Sequence, residues 1–327
     1  LDVPNFSRED YLAKKLDKNF KGLRTYPFLK LIKDEYHISN WGFIVEKFYD
    51  GLVFDFYNKT TIRKIKVMNS LENYKSRIGE EFTNLFFIDL MKEIFQGLPL
   101  VNLKERERNK ECDYDFYIRI KNHVFFFEFK DILFPINDSY EEIKKTIDTK
   151  LISNQNDTAK GIGQIIRHVE NFNQNSKIYD DLEKENISLN EIIIYPILVY
   201  SDNAFGMTGV NHYLDSNFQN RINRDKVKCQ VNPLVLISID FLMEEYNNLK
   251  SGGINLIDVL NLYYQLLNDK KQLLEKEMNP ATLQAAFSGF DVIVREKISS
   301  YSKDMIKTVF FERILQELKP FLPDKKT

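Results

Sequence analysis

Apolar and polar residues alternate most clearly in the middle of the chain. Aromatic and β-branched residues fill two runs, Asp113 to Ile120 and His123 to Asp131, separated only by Lys121 and Asn122. That pattern predicts two antiparallel strands joined by a two-residue hairpin. Upstream, the runs Phe43–Phe48, Leu52–Tyr57 and Ile62–Val67, with turn residues between them, predict a three-stranded meander after a loosely helical and looped segment over 1–40. Its Lys59, Arg63, Lys64 and Lys66 suit an edge strand kept soluble by charge, or a nucleic-acid backbone contact.

Residues 71–96 read as one helix closed by Gly97 and Pro99, with Phe86, Phe87, Leu90, Met91, Ile94 and Phe95 on one arc and Glu80 in line with it. A strand or loop over 98–103 and a charged turn, Lys104 to Glu111, precede the hairpin. After it come a loop over 132–138, a helix over 139–152 and an amphipathic helix from Thr158 to Phe172. The near-continuous apolar run Glu191 to Tyr200 predicts a strand buried on both faces, with Pro196 arguing for a bulge or an edge. A long loop from Ala204 to Asn217, a strand over 234–238, a helix over 240–249 and a break at Ser251 to Gly253 follow. The remainder predicts helices over 256–278, 280–299 and 302–319, with Asn279 and Pro280 as a helix start.

The hairpin also carries the chemistry. A two-residue turn sets Ile120 opposite His123, hence Asp115 opposite Glu128 and Asp113 opposite Lys130, all on one face, while Phe127 and Phe129 share the other. A three-residue turn would scatter the cluster. Carboxylates this close repel unless a cation neutralises them, and oxygen ligands with room for water suit magnesium. A lysine beside such an ion stabilises charge building on phosphate, so the set favours phosphodiester hydrolysis.

Composition narrows the alternatives without choosing among them. The 327 residues are 43% hydrophobic, enough for a sizeable core, and no apolar run approaches membrane-spanning length. The amino end lacks a signal-peptide pattern, so a cytoplasmic location and no membrane are expected. Cys112 and Cys229 have no paired spacing and exclude a disulfide framework or zinc finger. A formal charge of −2 means that any nucleic-acid contact needs a local basic surface. No phosphate-loop motif is present, so motor activity is not expected.

The run Asp115 to Ile118, a hairpin, then Phe127 to Asp131 resembles the signature of the PD-(D/E)XK nuclease superfamily, to which many restriction endonucleases belong. Tyr114 stands where a proline often precedes the first acid. Glu-x-Lys recurs at Glu142–Lys144 and Glu317–Lys319, but only the Glu128 copy ends an apolar strand that follows an acid-led one. The segment Arg77 to Phe82 is similar to the start of the helix that often lends this site a glutamate, which makes Glu80 a candidate ahead of Glu81. Gln164, with His168 one turn on, resembles the family's Gln-x-x-x-Tyr variant; Lys160 and Arg167 on the same helix are candidate phosphate contacts.

The resemblance covers about residues 75–240 and implies an α/β fold: a restriction-endonuclease-like mixed β-sheet flanked by helices. The expected organisation is an amino-terminal β-rich extension over 1–70, a nuclease core over 71–250 and a carboxy-terminal helical region over 251–327. It further implies a metal-dependent endonuclease, acting on DNA rather than RNA, with a role in restriction or phage defence as the attractive setting. Asp115, Glu128 and the Phe129 carbonyl would hold Mg2+, with Mn2+ able to substitute, and Asp113 stays open as an alternative to Asp115. Lys130 would position the attacking water, Glu80 would support the metal shell and Gln164 would orient substrate or water, leaving a 5′-phosphate and a 3′-hydroxyl. Two alternatives stand beside this: a catalytically silent binding or regulatory module, and an RNA-cleaving enzyme of the same fold. The carboxy-terminal helices suit a homodimer or a protein partner.

Overall fold

The computed structural model describes residues 28–32, 35–38, 53, 56–81, 86–98, 101–105, 114–132, 134, 139–153, 156, 158–174, 182 and 184–298. The chain divides into two compact units, one of residues 1–81 and 134–149 and one of residues 82–133 and 150–327.

In the first unit, β1 (Phe28–Ile32) and β2 (Glu35–Ile38) pair antiparallel within the stretch expected to be helix and loop. The expected meander is not found where it is described: residues 56–59 are helical and Ile62–Lys64 and Lys66–Met68 are 3-10 turns, while Phe43–Phe48 lies outside the described residues. Tyr57 explains part of this, since its ring stacks on Tyr74 and its hydroxyl donates to the Asn69 carbonyl, pulling the segment onto helix α1 (Leu71–Glu81).

The second unit is built on a mixed sheet. Its strands are β3 (Val101–Glu105), β4 (Phe116–Ile120), β5 (His123–Lys130), β6 (Ile193–Tyr200), β7 (Gln230–Val231) and β8 (Val235–Ser238). They run in the order β3-β4-β5-β6-β7, with β8 also on β6. β3, β4 and β5 form an antiparallel meander, and β6 joins β5 in parallel, as do β7 and β8 with β6. The protein is therefore α/β, with helices flanking the sheet.

One sheet face is dry. Phe116, Ile118, Phe125, Phe127 and Phe129 meet Tyr195, Ile197, Val199, Val235 and Ile237 under helix α2 (Ile88–Phe95), where Phe87 stacks on Phe129 at 4.9 Å. Each such phenylalanine contributes about 2–3 kcal/mol on burial. The helix expected over 71–96 is described as α1 over 71–81 and α2 over 88–95, with 82–85 outside the described residues.

After β5 the chain forms α3 (Tyr140–Leu151) and α4 (Ile162–Glu170), near the expected bounds. Pro196 sits neither in a bulge of β6 nor at a sheet edge. β7 pairs with Ile193 and Ile194, β8 pairs from Ile197 on, and the proline occupies the gap between them. Because Ile194 accepts from Asn232 on that side, the N–H that proline lacks would have pointed into the gap.

Residues 204–217, expected as a loop, instead form a 3-10 turn and helix α5 (Val210–Arg221), entered through Gly209 at φ +91°. Val210, Leu214 and Phe218 carry the helical spacing, masked in sequence by glycine, asparagine and aspartate. α6 (Ile239–Glu244) and α7 (Tyr246–Lys250) replace one expected helix, and α8 (Leu256–Lys276) is followed by two short helices, α9 (Pro280–Ala286) and α10 (Phe290–Ile298). Leu256, Val259, Leu260 and Tyr263 of α8 and Phe290, Ile293 and Val294 of α10 belong to the same core as the sheet. The expected helix over 302–319 lies outside the described residues. Among the described residues, no helix is long and apolar enough to cross a membrane.

Candidate active site

The hairpin turn fixes everything that follows. Ile120 pairs with His123 and Phe116 with Phe127, so Lys121 and Asn122 form the two-residue turn, with Lys121 in the left-handed region at φ +54°. Arg119 donates to the Lys121 carbonyl, and Asn122 ties the turn to the start of β6 through the Glu191 carbonyl and Ile193 N–H. Arg119 is itself buried and holds Glu185 with both terminal nitrogens, at 2.7 and 2.6 Å.

Continuing this register one residue beyond β4 sets Asp115 against Glu128. In a two-residue hairpin the main-chain bonds fall at Ile120/His123, Ile118/Phe125 and Phe116/Phe127, so the Phe129 N–H would next meet the carbonyl of Tyr114. The Asp115 side chain takes that place: Phe129 N donates to Asp115 Oδ2 at 2.8 Å. The carboxylate therefore lies against the peptide joining Glu128 to Phe129. Lys130 Nζ reaches back to Glu128 Oε1 at 2.5 Å. Asp115 and Glu128 are 3% and 1% exposed, whereas the Lys130 side chain keeps 20% exposure.

The face shared by Glu128 is lined by Tyr117 and Phe126, on which α4 packs through His168, with ring centroids 5.9 Å from Phe126 and 5.8 Å from Tyr114. β5 and β6 are parallel and α4 lies between them in the chain, so the helix returns antiparallel to β5. One turn back from His168, a rise of about 6 Å, brings Gln164 to the level of Glu128, two residues or about 6.6 Å beyond Phe126. Gln164 has a local task as well, its Oε1 accepting from Gly161 N at 2.9 Å to cap the helix. That leaves the amide NH2 as its donor group for a phosphate or water. Gly161 is required where it stands, since a Cβ there would lie 2.8 Å from the Leu151 carbonyl oxygen and its φ is +44°.

Glu80 does not occupy a buried face. It belongs to the first unit, its side chain is 54% exposed, and it pairs with Arg77 at 3.2 Å one turn away. Asp113 and the side chain of Glu81 lie outside the described residues. Sequence reasoning passed over Tyr114 and Arg119. Tyr114 closes the site against α4, and the signal for Arg119 was its place in alternation with Asp115 and Tyr117.

No protein-family model, no curated protein and no solved structure matches this chain.

Among the described residues, no group of three or more His, Cys, Asp or Glu side chains is placed to hold a metal ion. The set here is smaller, the Asp115 and Glu128 carboxylates with the main-chain carbonyl of Phe129, the residue after Glu128. Hard anionic oxygens on adjacent strands suit a magnesium-type ion that retains several waters. The donor chemistry fits, with the Lys130 ammonium at present on the Glu128 oxygen such an ion would use.

Proposed function

We propose that the protein is a metal-dependent nuclease of the PD-(D/E)XK type, hydrolysing phosphodiester bonds in DNA. The observation that carries this reading is the convergence of Asp115, Glu128 and Lys130 through a two-residue hairpin register, at the end of a mixed sheet whose element order, helix, three antiparallel strands, helix and parallel strand, follows the expected core. A divalent ion held by Asp115, Glu128 and the Phe129 carbonyl would supply Lewis-acid stabilisation and a more acidic water.

The chain's own groups do the rest. The Lys130 ammonium, partly open to solvent, orients the attacking water and stabilises charge on the phosphoryl oxygens. Gln164 would offer its amide NH2 to substrate or water, its Oε1 being held by Gly161 N, and the Tyr117, Phe126 and His168 rings pack beside the site. In-line attack leaves a 5′-phosphate and a 3′-hydroxyl. Restriction or phage defence is the setting that such an activity suits.

The test is cleavage of plasmid and linear DNA and of RNA, with Mg2+ or Mn2+ supplied, by the wild type and by Glu128→Ala and Lys130→Ala. The expected result is metal-dependent DNA cleavage by the wild type, reduced about a thousandfold or more in both variants. Cleavage that survives both substitutions removes these residues from the chemistry. A wild type inert on every substrate favours the silent binding module instead.

A further inference from the structure

The overall charge of −2 gives the protein no general attraction for a polyanion, so binding would have to come from a concentrated patch. Such a patch follows α5. Within residues 221–228, Arg221, Arg224, Lys226 and Lys228 are all exposed, against a single acid, Asp225. The segment is held in one shape: Arg224–Lys226 is a 3-10 turn whose cap, Asn223, accepts from Asp225 N, and Arg224 hydrogen-bonds Gln219. It is also tied to the helix of the candidate site. Glu170, the last residue of α4, accepts from Asn223 N at 2.7 Å and pairs with Lys226 at 3.7 Å. Arg221 and Lys228 make no ion pair among the described residues.

Taking the nuclease reading as its basis, we infer that this turn is a phosphate-backbone anchor for the nucleic acid whose scissile bond lies at Glu128 and Lys130. Glu170 is six residues along α4 from Gln164, about 9 Å of helix. A DNA strand carries one phosphate per about 3.4 Å of axis, so the anchor engages the backbone about three phosphates from the cleaved bond. Arg167, exposed on α4 between Gln164 and Glu170, continues the same line. An anionic membrane fits less well, because a surface-lying segment needs an apolar side to insert. Here Ile222 is buried and Val227 is half-buried.

The experiment separates binding from hydrolysis. Binding of a fluorescent duplex of about 20 base pairs is followed by anisotropy in EDTA, across about 50 to 200 mM KCl, for the full chain and for a triple variant, R221A/R224A/K228A. The expected result is affinity at least tenfold weaker and a log K against log salt slope reduced by about 2 to 3, at close to 0.9 per lost phosphate contact. The charge-retaining double variant, with Arg221→Lys and Arg224→Lys and native Lys228, is expected to keep the wild-type slope.

Equal affinity and slope in the alanine variant overturn the anchor. So does an equal loss in the lysine variant, which would make shape rather than charge responsible. Wild-type binding to phosphatidylserine vesicles in place of the duplex overturns it too. Duplex binding that the alanine variant loses, in a protein that cleaves nothing, supports the anchor and overturns the hydrolysis reading. Cleavage abolished by Glu128→Ala together with unchanged binding in the alanine variant overturns the anchor alone.

Discussion

Two polar clusters stand at the carboxyl ends of the parallel strands, and they are built on opposite principles. At the end of β5, Asp115 and Glu128 are buried but face a lysine that remains partly in solvent. At the ends of β6 and β8, Asp291 of α10 accepts from the Tyr200 hydroxyl at 2.5 Å and from Ser238 N at 3.2 Å, while its Oδ1 is out of solvent with no hydrogen-bond partner among the described residues. Burial pushes the Asp291 carboxyl up from the ordinary aspartate range, and burial with the neighbouring Asp291 charge does the same to the Tyr200 phenol.

Glycines seal the second cluster. A Cβ at Gly206 would sit 2.8 Å from the Tyr200 hydroxyl oxygen, and one at Gly289 would sit 3.0 Å from the Gly206 carbonyl oxygen. Asp291 also completes the guarding of the β8 edge: Leu234 N, Leu236 N and Ser238 N donate to Asp215, Asn211 and Asp291, leaving no row of free donors for another strand. Both clusters bury acid. Among the described residues the first has a lysine ion-paired with its acid, whereas Asp291 is held by a hydroxyl and a main-chain N–H with the Arg295 charge nearby, and that difference separates a site suited to chemistry from a latch.

The contrast breaks or sharpens under substitution. The largest effect belongs to Asp115→Asn, which keeps an oxygen to accept from Phe129 N but loses the charge. Cleavage is expected to fall about a hundredfold or more with little change in thermal midpoint, and a retained rate would show that the carboxylate serves the fold alone. Next is Asp291→Ala, which strands the Tyr200 hydroxyl and Ser238 N–H. Denaturant titration is expected to show a loss of about 2–3 kcal/mol, whereas an unchanged midpoint would mean the latch carries no stability.

Gly206→Ala is expected to cost about 1–2 kcal/mol, because the hydroxyl it would strike is held on Asp291 and cannot swing away cheaply. The smallest effect is the pH dependence of Asp291→Asn. A carboxyl whose folded pKa is raised contributes stability below its unfolded pKa and loses it as pH climbs through the folded value. The asparagine variant does not titrate, so its stability relative to wild type is expected to rise as pH climbs from the ordinary aspartate value, about 4. A difference independent of pH would contradict the raised carboxyl.

Legibility in the sequence followed how local each cause was. The hairpin could be read because a two-residue turn converts residue numbers directly into cross-strand neighbours, and the pairs from Ile120 and His123 out to Phe116 and Phe127 fell where counting put them. The amino-terminal meander could not. Alternation over 52–67 looks the same whether a strand forms or Tyr57 docks on Tyr74 and turns the segment helical. Glu80 misled because periodicity along a helix does not reveal which face is covered: its side chain is exposed and paired with Arg77.

By itself the sequence determined the hairpin register, the helix between the hairpin and the next strand, and the doubly buried character of that strand, because turn length and side-chain alternation act over a few residues. Only the tertiary structure decided that Asp115 would replace a main-chain acceptor at Phe129. The same holds for Pro196, which falls in the gap between β7 and β8, and for Asp291, which crosses from a helix more than fifty residues downstream of β8 to guard its edge. Those outcomes depend on which segments meet, and meeting is set by packing a whole core rather than by any local pattern.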